Sequence, residues 1–149
     1  MANTIKQIRE HGQSIWMDYL DRELIESGEL RRKVEEDGIR GITSNPKIFS
    51  EAVMGRSHYD ADIKAAAEAN QSTQDIYEKL IFEDIQNACD ILRPVYEESD
   101  RLDGYVSIEL PPAMARDTDA SIKEAQRYFD AVNRDNVLIK IPGTQEGIP

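Results

Sequence analysis

Four short apolar segments, separated by stretches of helical periodicity, decide what this chain can fold into. They are Ile15 to Leu20 (IWMDYL), Ile39 to Ser44 (IRGITS), Tyr105 to Leu110 (YVSIEL) and Asn136 to Ile141 (NVLIKI). Short apolar runs rich in β-branched and aromatic residues predict strands. Strands that alternate with helices are joined by right-handed crossovers and therefore run parallel in one sheet. Their near-continuous apolar character predicts burial on both faces.

The segments between them read as helices. A short helix over 3–11 ends at Gly12. Asp21 caps a helix running to about Asp37, with Gly38 as its stop, and Leu24, Ile25, Leu30 and Val34 form its apolar stripe. Asn45-Pro46 is turn chemistry, and Pro46 suits the first position of a new helix. Three helical segments follow over 46–54, 58–69 and 73–93. In the last, Ile76, Leu80, Ile81, Ile85, Ala88, Cys89 and Leu92 make a broad stripe that is most simply core packing. Thr73 is its predicted cap, and Pro94 its predicted limit. A helix over 118–132 places Ile122, Ala125, Tyr128, Phe129 and Val132 on one face. Pro142-Gly143 ends the fourth strand. No repeat, low-complexity tract or Gly/Ser linker divides the chain, so residues 1–149 read as one domain or part of one.

Charge excludes some functions. Eighteen Lys and Arg stand against 29 Asp and Glu, a net charge of −11. Nucleic acid is an unfit partner, because phosphate neutralisation needs a basic stripe. No GxGxxG or Walker loop supports nucleotide binding. The single cysteine, Cys89, allows no internal disulfide and no CxxC pair, and reads as a small core side chain on a helix. The N-terminus lacks a secretory pattern, and no apolar run approaches the roughly 20 residues that span a bilayer, so no membrane partner and a cytoplasmic location are expected.

Asp18 in IWMDYL, Glu109 in YVSIEL and Lys140 in NVLIKI are each the one acidic or basic residue of an otherwise apolar or hydroxylated strand, in its C-terminal half. Burying a charge is costly, so three such placements need a reason. In parallel α/β folds, chemistry gathers at the C-terminal ends of the strands. A desolvated lysine there has its amine pKa pulled down and becomes a nucleophile toward a carbonyl, able to form a Schiff base. One carboxyl can shuttle protons as a carbinolamine loses water, and a second can take a proton from a substrate hydroxyl. The same three residues also fit a buried ion pair or triad without catalysis. Asn45 follows the second strand at the same end, where a plain turn-and-cap role also fits. Thr43, Ser44 and Ser107 fit either pocket lining or ordinary strand positions.

IWMDYL with Asp18, GITSNPKIF with Asn45, YVSIEL with Glu109 and NVLIKIPGTQEGI with Lys140 resemble the transaldolase family, in its order and over nearly the whole chain. IWMDYLDREL and TSNPKIF look most like the longer-chain bacterial branch, which includes cyanobacterial forms and fusions with phosphoglucose isomerase. The resemblance implies a TIM-type (β/α)8 barrel. With an extra N-terminal helix and a three-helix connection between strands two and three, this chain would supply about strands one to four. It implies Lys140 as the Schiff-base lysine, Glu109 as the acid/base working through water, and Asp18 as the acid/base at the substrate hydroxyl. Asn45 would hold the dihydroxyacetone unit, with Thr43 and Ser44 beside it. The family moves that unit between ketose and aldose phosphates in the pentose phosphate pathway, without metal or organic cofactor. Lys47, Arg40 and Arg56 are the nearest cations, and none is assigned to a substrate phosphate.

A closed eight-stranded barrel takes roughly 200 residues or more, so 149 residues with about four strands read as its N-terminal portion, interrupted after the fourth strand. A half barrel leaves two open strand edges and an uncovered apolar interior, which predicts self-association or a missing C-terminal half. The alternatives are a catalytically silent truncated domain that self-associates, and a self-contained doubly wound domain binding a small ligand.

Overall fold

The computed structural model describes residues 3–55 and 57–149. In chain order the elements are α1 (Thr4–Gln7), β1 (Trp16–Met17), α2 (Arg22–Glu26), α3 (Glu29–Arg32), β2 (Gly41–Thr43) and α4 (Pro46–Gly55). They continue with α5 (Asp60–Glu68), α6 (Thr73–Glu98), β3 (Val106–Glu109), α7 (Thr118–Val132) and β4 (Val137–Lys140). All four predicted strands are present, each shorter than its apolar run. They form one parallel sheet in the order β1-β2-β3-β4. A doubly wound sheet reverses strand order at a switch point, whereas a barrel wall adds each strand beside the last. The uninterrupted order, with flanking helices, is that of half a (β/α)8 barrel, and the doubly wound alternative falls.

Strand register sorts the side chains. Met17, Ile42, Val106, Ile108, Val137 and Ile139 share one face and pack into a core with Leu30, Phe49, Ile85, Ala88, Cys89, Leu92, Tyr128 and Val132 from the helices. The opposite face carries Trp16, Gly41, Thr43, Ser107, Glu109, Leu138 and Lys140. Burial on both faces, as expected from sequence, is therefore corrected: helices cover one face, and Leu138 on the other is 41% exposed. The uncovered face is also less apolar than expected, because hydroxyl, amine and carboxyl groups occupy most of it. Cys89 is fully buried and burial pushes its thiol up to about 12, in keeping with a core role.

Several helical expectations change. The segment after Asp21 is not one helix. Asp21 caps α2 through its bond to the Leu24 N–H, but Gly28 in the left-handed region (φ +78°) breaks the run before α3. A π-helical turn over Lys33–Asp37 then reaches Gly38. Ser72 rather than Thr73 caps α6, its hydroxyl accepting from the Asp75 N–H at 3.2 Å. Pro94 does not end α6, which continues to Glu98. A mid-helix proline costs about 3 kcal/mol, and burial of Ile91, Leu92, Val95 and Tyr96 around it outweighs that. On α7, Tyr128 and Val132 are buried, but Ile122 and Phe129 are 58% and 42% exposed, on the flank of the stripe.

A polar clamp joins α2 to α6 and α5. Arg22 donates to Asp84 at 2.9 Å and Glu83 at 3.1 Å, and also pairs with Asp62. The Tyr59 hydroxyl donates to Asp84 at 2.7 Å and accepts from the Arg22 backbone N–H at 2.9 Å. Asp84 is fully buried. Truncating Arg22 strands that carboxylate, so Arg22→Ala is expected to lose about 3 kcal/mol of stability in urea denaturation. Asp62→Ala, at a half-exposed partner, is expected to lose under about 1 kcal/mol.

Trp16 lies over Gly41 in the β1–β2 pair, and a Cβ at Gly41 would stand 2.4 Å from two indole carbons. Gly41→Ala is therefore expected to displace the indole and cost roughly 1–3 kcal/mol. Trp16 is the one tryptophan of the chain, so its emission maximum reads the displacement directly, as a red shift.

Candidate active site

Core packing fixes which residues reach the uncovered face, and strand register fixes their height. Glu109 and Lys140 are the last residues of β3 and β4 and are Cα partners in the ladder. The Lys140 Nζ lies 3.2 Å from Glu109 Oε2. It also donates to Thr43 Oγ1 at 3.3 Å and to the Ser44 carbonyl at 3.1 Å. The ammonium thus donates to a hydroxyl and a backbone carbonyl and forms an ion pair with a carboxylate. The side chains of Lys140 and Glu109 are 40% and 25% exposed, so a solute can reach the amine.

Hydroxyl groups brace these acceptors. The Ser107 hydroxyl donates to Thr43 Oγ1 at 3.1 Å. The Ser44 hydroxyl, fully buried, donates to the Ser107 carbonyl at 2.6 Å and ties the end of β2 to β3. It is the Ser44 carbonyl, not its hydroxyl, that meets Lys140. A main-chain acceptor leaves no mark in a sequence, and the partnership between Thr43 and Ser107 becomes visible only through their register. Glu109 also borders a cavity of about 270 Å³ walled in part by Tyr77, Ile81, Pro111 and Tyr128.

Asp18 directly follows β1 and is exposed at the same end of the sheet. It is not drawn into the ion pair between Glu109 and Lys140. Asn45 follows β2, where its side-chain oxygen accepts from the Ile48 N–H at 3.0 Å and caps the start of α4. Its amide NH2 is the end suited to a ligand hydroxyl. Arg40 is buried against Glu98 and Asp103, both at 2.8 Å, and serves as a bolt away from the site. Lys47 is exposed and pairs with Glu51 at 3.7 Å. Arg56 lies outside the described residues. No helix among the described residues is long and apolar enough to cross a membrane.

The four principal residues singled out by sequence thus lie at or just past the C-terminal ends of the strands, and of them Lys140 and Glu109 are in contact. An amine beside a carboxyl and hydroxyls suits carbonyl chemistry. The sequence profile described as Transaldolase/Fructose-6-phosphate aldolase matches residues 15–149. Among curated proteins, the chain is 59% identical to "Transaldolase 2" of Nostoc punctiforme over 148 residues, which are 99% of this chain and 39% of that protein. It is 56% identical to "Transaldolase" of Trichodesmium erythraeum over 149 residues, 100% of this chain and 39% of that one. Identity to "Transaldolase" of Thiobacillus denitrificans is 42% over 146 residues, 98% and 41% of the two chains. The chain thus spans about two-fifths of the length of these relatives. With the fold and the profile in agreement, this chain belongs to the transaldolase/fructose-6-phosphate aldolase family.

Proposed function

We propose that this chain carries the carbonyl half of a transaldolase site. The reaction moves a dihydroxyacetone unit from sedoheptulose 7-phosphate to glyceraldehyde 3-phosphate, giving erythrose 4-phosphate and fructose 6-phosphate, a step of the pentose phosphate pathway in the cytoplasm. The observation that carries it is the contact of Lys140 Nζ with Glu109 at 3.2 Å at the strand ends.

Glu109 takes a proton from the Lys140 ammonium and frees the nitrogen lone pair. Nζ bonds to the ketose C2 as the carbonyl π pair moves to oxygen, and a proton passes from the nitrogen to that oxygen to give a neutral carbinolamine. The proton that Glu109 took, returned directly or through water, lets that hydroxyl leave as water as the nitrogen lone pair closes to an iminium. Asp18 takes the proton of the C4 hydroxyl. The C4–O pair closes to a carbonyl, the C3–C4 bond breaks, and its electrons pass to the iminium as an enamine. The aldose phosphate leaves, the acceptor aldehyde enters, and the same steps run in reverse. Asn45 holds the hydroxyls of the three-carbon unit, with Thr43 and Ser44 at its border. No metal or organic cofactor is needed for this route.

Incubation with fructose 6-phosphate followed by borohydride reduction tests it. Mass spectrometry is expected to find a stable three-carbon adduct on Lys140, and none in Lys140→Ala. Glu109→Gln and Asp18→Asn are each expected to lower turnover by roughly 10²–10⁴-fold. Full turnover in Lys140→Ala would overturn the mechanism.

A second reading is a catalytically silent domain that associates with itself. It is favoured by the exposure of Leu138 and Ile141, 41% and 37%, on and beside β4 at the edge of the sheet. Light scattering separates the cases: an oligomer is expected, and a monodisperse monomer would count against self-association.

A further inference from the structure

We propose that Ser107 is a positioning residue for Lys140, acting through Thr43. The proposal rests on Lys140 being the reactive amine, and assigns a task to a hydroxyl that hydrogen-bonds to Thr43 and not to the amine.

Three observations carry it. Ser107 is only 3% exposed, so its hydroxyl is withdrawn from solvent and must find its partner within the protein. That partner is Thr43 Oγ1, at 3.1 Å. Thr43 Oγ1 in turn accepts from Lys140 Nζ, at 3.3 Å, beside the Ser44 carbonyl. A threonine hydroxyl rotates freely unless its oxygen is held. With Ser107 donating from one side, the Thr43 oxygen is fixed with a lone pair toward the amine.

The consequence is directional. Lys140 is a long side chain with several rotatable bonds, and its side chain is 40% exposed. The Glu109 contact restrains Nζ from one neighbouring strand, while Thr43 Oγ1 and the Ser44 carbonyl restrain it from β2, across β3. Removal of the β2 hydroxyl restraint lets the amine swing about Glu109. A freed amine meets small electrophiles more often. It meets a ketose carbonyl, which itself must be oriented, in the right geometry less often. Loss of Ser107 therefore moves the two reactivities in opposite directions, whereas a loosened fold or a lost substrate contact leaves no reason for the first to rise.

The test compares wild type, Ser107→Ala and Ser107→Thr at one neutral pH. Trace formaldehyde with cyanoborohydride methylates each amine, and mass spectrometry gives the ratio of labelling at Lys140 to that at Lys47, whose side chain is 83% exposed and serves as the internal standard. In parallel, fructose 6-phosphate with borohydride measures adduct formation at Lys140. Ser107→Ala is expected to raise the methylation ratio about threefold and lower the ketose adduct about tenfold. Ser107→Thr, which restores the hydroxyl, is expected to return both toward wild type. Should Ser107→Ala fail to fold, Thr43→Val removes the same restraint and is expected to give the same opposed pair.

An unchanged methylation ratio, or a fall in both reactions that threonine does not rescue, overturns the proposal. If wild type forms no ketose adduct while the methylation ratio still rises in Ser107→Ala, the transaldolase reading falls and the positioning role stands.

Discussion

The alternation of side chains along a strand is the constraint on which the site depends. Ile42, Val106, Ile108 and Val137 must go under the helices, because the core is built from them. Their neighbours Thr43, Ser107, Glu109 and Lys140 are then sent to the opposite face with no further choice. A one-residue slip of β3 or β4 would bury a carboxyl or an amine among Leu92, Ile85 and Tyr128 and expose an isoleucine or valine. The hydrophobic core therefore aims the reactive groups, and the parallel register sets Glu109 and Lys140 level with each other. The energy that places the chemistry comes from residues that take no part in it.

Two of the ionic clusters differ in what they can do. The cluster around Arg22 is sealed: the Arg22 side chain is 8% exposed and that of Asp84 1%. Burial pushes the Asp84 carboxyl up, and the bonds from Tyr59 and Arg22 pull it back. A guanidinium does not release its proton in a protein, so that cluster holds helices together and nothing more. The pair of Lys140 and Glu109 is half open to solvent and built on an amine instead of a guanidinium. The two clusters differ in side-chain type and access together; proximity of opposite charges is common to both.

The same contrast explains what could be read from the sequence. Glu109 and Lys140 stood out because a lone charge in an apolar strand has few physical justifications, and the structure brings them into contact. The strands were legible by their apolar runs, although the hydrogen-bonded ladder is confined to their middles. Arg22, Asp84 and Tyr59 were not legible, because Arg22 and Asp84 sit among other charges on helices, and nothing local distinguishes a buried charge there from a solvated one. The passage of α6 through Pro94 is decided by packing against distant residues, which outweighs the local preference that a sequence displays. The break at Gly28 is the opposite case, a local glycine preference that prevails over the apolar periodicity around it. Ile122 and Phe129 show the limit of periodicity: the pattern gives a stripe, while its width is set by which neighbours cover it.

A ketose phosphate presents a carbonyl at one end and a dianion at the other, and the two ends make opposite demands. The carbonyl wants an amine with a carboxyl beside it. The phosphate wants uncommitted guanidinium or ammonium donors. Around Lys140 the nearest charged group is the Glu109 carboxylate, on a chain whose net charge is −11. Arg22, Arg32, Arg40, Arg127 and Arg134 are already held by carboxylates, at distances such as 2.8 Å for Arg40 with Glu98 and 2.6 Å for Arg134 with Asp90. Freeing any of them for phosphate would uncover an acid next to the anion being bound. The strand ends thus bring an amine beside a carboxyl, and these five arginines are held by carboxylates of the fold.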